Sequence, residues 1–84
     1  MAWHDKYLGE MRRNPHNWRI EQIESIARRY QVTVRKTSGS HVIFSHPDLI
    51  ELLSIPAHRP IKPIYVKKFV KLIELLQGIK NENN

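Results

Sequence analysis

His41 follows Thr37, Ser38, Gly39 and Ser40, a run of turn-forming residues set between two β-branched stretches. That pattern places His41 at the first position of a strand leaving a tight link. Gly39 is the residue of the link that is free to take a positive φ. Arg35 and Lys36 precede the link and are expected just across it from His41. Imidazole is the side chain whose proton exchange spans neutral pH. Held by strand backbone beside cations, it suits proton transfer on a phosphate-bearing substrate, although the residues alone fit an ordinary surface or half-buried histidine as well.

Other constellations are poorer in chemistry. His58 and Arg59 stand between Pro56 and Pro60, where a rigid backbone aims both side chains. Either they serve a site or His58 simply packs on a Trp or Tyr. His46-Pro47-Asp48 reads as a turn, and His4 and His16 lie in polar, solvated segments. The five histidines show no HxxxH or HExxH spacing and there is no cysteine, so no metal site and no other cofactor is expected. No serine occupies a nucleophile elbow, no acid pair shares an evident site, and the single glycine of Thr37–Ser40 makes no phosphate-cradling loop.

Fourteen Lys and Arg against eight Asp and Glu give a net charge of +6 and a pI near 10.0. That balance favours nucleic acid, an anionic membrane surface or an acidic protein as partner. Apolar stretches are interrupted by Lys every three or four residues, so nothing is expected to span a membrane. The absence of cysteine points to a reducing compartment, the cytoplasm, or to stability from packing and partners alone.

The elements that must position His41 follow from periodicity. Residues 1–13 carry Trp3, Tyr7, Leu8 and Met11 at i, i+4, i+5 and i+8, an N-terminal helical extension that Asn14-Pro15 breaks. With Asn17 as its cap, a helix over residues 18–30 turns Ile20, Ile23, Ile26, Ala27 and Tyr30 to one side. Period two then predicts strands over 32–35, 41–45 and 50–55, with Val32, Val34, Val42, Phe44, Leu53 and Ile55 inward. A last helix begins at Pro63, sets Tyr65, Phe69, Leu72, Ile73 and Leu76 on one face, and is expected to stop at Gly78. Its wet face carries Lys67, Lys68 and Lys71, and residues 78–84 read as a frayed polar tail. The fold class is therefore α+β: an α-β-β-β-α domain over 14–77, a three-stranded antiparallel sheet with the helices on one face. That is also the element order of double-stranded-RNA-binding domains.

Four segments in this order, Asn14-Pro-His-Asn-Trp18, Gly39-Ser-His41, Ser45-His-Pro-Asp48 and Ile55-Pro-Ala-His-Arg-Pro-Ile-Lys-Pro63, resemble the HicA family of toxins over about residues 14–77. The resemblance implies a double-stranded-RNA-binding-like fold, ribonuclease activity on mRNA and neutralisation by a HicB-type antitoxin. The family's catalytic histidine, the one after Gly-Ser, corresponds to His41. Many members read GSHH where this chain has Gly39-Ser-His-Val42, so a second adjacent histidine is missing.

On that basis a metal-independent endoribonuclease is expected, with His41 as the base that deprotonates a ribose 2′-OH. Lys36, with Arg35 or Arg59, is placed to offset charge on the phosphorane, and His58 is the candidate acid. Ser40, Lys67, Lys68 and Lys71 complete the residues expected to support RNA binding or the transition state. A non-catalytic RNA-binding module, or an adaptor for an acidic protein, would use the same basic surface.

Overall fold

The computed structural model describes residues 3–37 and 39–82, with side chains over 6–37 and 39–78. The expected docking of the Trp3 side chain, the solvation of His4 and the turn role of Ser38 fall outside the described residues, as do Asn83 and Asn84 of the tail. Among the described residues, no helix is long and apolar enough to cross a membrane.

The first helix, α1 (Trp3–Arg13), buries Leu8 and Met11, one turn apart on a single stripe, against the core. Asn14 still donates its N–H to the Glu10 carbonyl at 2.8 Å before Pro15 forbids another turn. The next helix, α2 (Ile20–Arg29), is shorter than the spacing predicts. Asn17 is not its cap: its φ of 66° is left-handed, a region asparagine tolerates better than most residues. The indole N–H of Trp18 donates to the Asn14 carbonyl at 2.8 Å and closes residues 14–18 into a turn, so the helix starts only beyond it. Arg19 takes the cap position, its N–H accepted by Oε1 of Gln22 at 2.8 Å.

At the other end of α2, Gln31 N–H donates to Arg28 O at 3.1 Å and Val32 N–H to Ala27 O at 2.9 Å, with Gln31 at φ 64°. This is the paired-bond helix stop that glycine usually fills. It turns the chain into a strand within three residues.

The strands are β1 (Thr33–Lys36), β2 (His41–Ser45) and β3 (Leu53–Pro56), antiparallel in the order β1-β2-β3. Val34 pairs with Phe44, and Val42 with Ile55, so one face of the sheet is apolar. The strand expected over 50–55 begins only at Leu53, because the pairing with β2 ends at Phe44 opposite Leu53; Ile50 is fully exposed. None of the described glycines takes a positive φ. The β1–β2 link is closed instead through the Thr37 side chain, whose Oγ1 accepts the Gly39 N–H at 3.3 Å and donates to the His41 carbonyl at 3.0 Å.

The final helix, α3 (Pro63–Glu82), covers the sheet together with α2 and does not stop at Gly78. A glycine in a helix interior costs only about 1 kcal/mol, and the polar residues after it are compatible with another turn. The 78–84 tail is therefore helical through Glu82. Phe44 and Phe69 meet at 5.6 Å between ring centroids, joining sheet to helix, and each contributes about 1.5–3 kcal/mol by burial. Met11, Ile23, Ile55, Ile61, Val66 and Ile73 complete the centre of this core. The result is α+β, a three-stranded antiparallel sheet with helices on one face, in keeping with the double-stranded-RNA-binding-like order.

Candidate active site

The face of the sheet away from the helices is the one His41 occupies. Val42 and Phe44 are buried, so alternation along β2 puts exposed His41 and half-buried Ile43 and Ser45 on the opposite side. His41 lies on the central strand, opposite Pro56 of β3, and its carbonyl accepts the N–H of Thr37 at 3.2 Å. Its backbone is thus held from both neighbours while its ring is free to meet a ligand.

The same alternation separates the two cations expected beside it. Arg35 pairs with Ile43 and projects from the open face, diagonal to His41 at roughly 7–8 Å between backbone positions. Lys36 pairs with Val42, so it belongs to the helix-covered face, where its ammonium lies 3.7 Å from Oε1 of Glu24. Lys36 is therefore not across the turn from His41 in any chemical sense. Glu24 is itself 4% exposed, and Arg28 reaches it at the same 3.7 Å from its own helix.

Loop 57–62 comes to His41 from the other flank. The Ala57 N–H donates to the Ser40 carbonyl at 2.6 Å, carrying the strand pairing one step past β3. His58 follows, exposed, its N–H held by the Pro56 carbonyl at 2.9 Å, and then Arg59, joined to Pro60 by a cis peptide. Ile61 plugs the core and donates its N–H to the Trp18 carbonyl at 2.9 Å. Three of the four segments singled out in the sequence, 14–18, 39–41 and 55–63, are in this way linked by backbone hydrogen bonds at one end of the sheet.

The fourth is not. Ser45 pairs with Thr33 at the opposite end of β2, and His46 closes a local turn in which its Nδ1 accepts the Asp48 N–H at 3.0 Å. Lys67, Lys68 and Lys71 are exposed on α3, in the layer behind the sheet, so they do not join His41. Ser54, opposite Ile43 on the open face, is a polar neighbour of the site that sequence reasoning passed over. Its signal was present: Leu53 and Ile55 turned inward leave Ser54 pointing out. Among the described residues no three His, Cys, Asp or Glu side chains converge to hold a metal ion.

What this arrangement offers is an exposed imidazole on rigid backbone, a guanidinium on the same face and a second imidazole on the adjoining loop. No curated protein matches the chain, and no solved structure does. A family model described as the HicA toxin of bacterial toxin–antitoxin systems matches residues 20–75, which contain β1, β2, β3 and most of both covering helices. Matched over more than half its length, with its Gly-Ser-His turn presented on the open sheet face, the chain belongs to the HicA toxin family of bacterial toxin–antitoxin systems.

Proposed function

We propose that this toxin is an endoribonuclease that cuts mRNA in the cytoplasm by intramolecular transesterification. His41 removes the proton of a ribose 2′-OH, and the oxygen attacks the adjacent phosphorus. The bond to the 5′-oxygen breaks, leaving a 2′,3′-cyclic phosphate, and His58 on the neighbouring loop supplies the proton to that departing oxygen. Arg35, with Arg59 from the loop, offsets charge building on the phosphorane; Lys36 has no part in this because it serves Glu24 on the other face. Positioned acid–base groups contribute ~10²–10⁴-fold each.

The observation that carries the reading is the exposure of His41 on the central strand with Arg35 beside it on the open face. In the cell a HicB-type antitoxin silences the enzyme by covering this face. The deciding experiment uses two RNAs that differ by one 2′-deoxyribose at the scissile nucleotide. The all-ribose strand is cut to a cyclic phosphate, while the substituted strand binds equally and survives. Cleavage of both overturns the mechanism in favour of attack by water. Binding without cleavage of either identifies a non-catalytic RNA-binding module.

A further inference from the structure

Helix α3 carries on its outer side a stripe that the core does not explain. Ile64, Lys68, Lys71 and Leu75 follow one another at spacings of four, three and four, the seam along which one helix packs on another. All four are exposed: Ile64 by 56% and Leu75 by 58%, large values for such side chains on a chain this small. Lys67 flanks the seam, and Lys68 stands 5.8 Å from the centre of the Tyr65 ring, which steadies it. Ile64, Lys68 and Lys71 of the seam also line a cleft of about 410 Å³ that Arg12 of α1 and Glu74 of α3 help to close. Arg12 and Glu74 pair across it, so the negative charge of Glu74 is answered and the surface is left basic.

We infer that the seam of α3 is a docking site for an acidic amphipathic helix of the antitoxin, distinct from whatever segment covers His41. This rests on the toxin–antitoxin pairing. Ile64 and Leu75 lie about 16 Å apart along the axis at 1.5 Å per residue, so the incoming helix needs at least three turns, an apolar residue near each end and carboxylates between. A second copy of this chain is the wrong occupant, since a two-fold antiparallel contact would set Lys68 and Lys71 of one molecule against those of the other. RNA phosphates would satisfy the lysines but leave Ile64 and Leu75 wet. The stripe is in the helical layer, behind the sheet that bears His41, so a partner anchored here holds the toxin without itself occupying the site.

The test takes the complex formed by co-expression with the antitoxin encoded at the toxin's own locus. I64D/L75D is expected to weaken that complex at least tenfold, chiefly by faster dissociation, and K68E/K71E to slow association and flatten its salt dependence. I64D/L75D keeps the thermal midpoint and the RNA cleavage of the parent, because both altered side chains are exposed and lie behind the sheet that bears His41, and K68E/K71E is read on the association of the complex alone. Unchanged affinity in both variants overturns the inference, and so does an equal loss of RNA binding, which would make the seam an RNA surface. Hydrogen exchange on the unaltered complex is independent of variant folding: protection over residues 64–75 supports the site, and its absence removes it. If the chain cuts no RNA at all while the seam is still protected, the ribonuclease reading fails and the docking site stands.

Discussion

Ala57 and Ser40 are joined at 2.6 Å through the N–H of one and the carbonyl of the other, and this bond ties the loop bearing His58 to the residue that precedes His41. Two imidazoles separated by more than a dozen residues are thereby placed on adjoining backbone. An acid and a base for one phosphate need that kind of fixed relation, because misplacement by an ångström can cost about a hundredfold in rate.

Replacing His41 by alanine should remove cleavage while sparing the fold. The ring is exposed and contributes little core area. A fall of ~10²–10⁴ in rate, with an unchanged thermal midpoint, is expected. A folded H41A that cuts normally would end the assignment of the base.

Arg35 and Lys36 are sequence neighbours on opposite faces of the sheet, and a paired measurement tests the separate roles proposed for them. R35A should slow cleavage by ~10²-fold, the loss typical of one group that stabilises transition-state charge, with little change in stability. K36A should leave cleavage intact and cost about 1 kcal/mol of stability, since it strips one of two cations from nearly buried Glu24. The reverse pattern would mean that the strand alternation is misassigned.

Gln31 sits in the left-handed region at the end of α2, where the Cβ of any residue but glycine crowds the following carbonyl oxygen. Gln31→Gly keeps both backbone bonds of the stop and should raise stability by about 0.5–1 kcal/mol, read by urea denaturation. A loss of stability would show that the greater freedom glycine gives the unfolded chain outweighs the relief.

Helix α1 precedes the stretch matched by the family model, yet Met11 within it is 0% exposed. M11A should cost about 2–5 kcal/mol, and deletion of residues 1–13 more, enough to unfold a domain of this size near physiological temperature. A truncated chain with full stability would show that α1 is only appended.

Much of this architecture was legible in the sequence because two periods dominate it. Ile23, Ile26 and Ala27 recur as a helix must, and Val42 and Phe44 alternate as a half-covered strand must. The departures share a physical cause: each depends on a partner the sequence does not display. Residues 50–52 look like strand, yet β2 turns away at His46 and offers them nothing to pair with. Asn17 has the chemistry of a cap, but the indole of Trp18 had already claimed the Asn14 carbonyl and closed the chain into a turn. Gly78 looks like a stop, which needs a following chain with somewhere else to go. For the candidate site, the position of His41 was readable from the turn before it. The dismissal of Lys36 was readable too, since Val34 inward and Arg35 outward already send Lys36 inward.

The place of His41 on the middle strand also sets how the protein can fail. Edge strands and loops open in local fluctuations, whereas a central strand bonded on both sides comes free only when the sheet itself separates. Loss of activity on warming should therefore track global unfolding rather than precede it. On the ribonuclease reading proposed above, a nicked or half-folded molecule would carry no competent imidazole, and a cell that fails to fold this toxin, or degrades it, would disarm it in the same event.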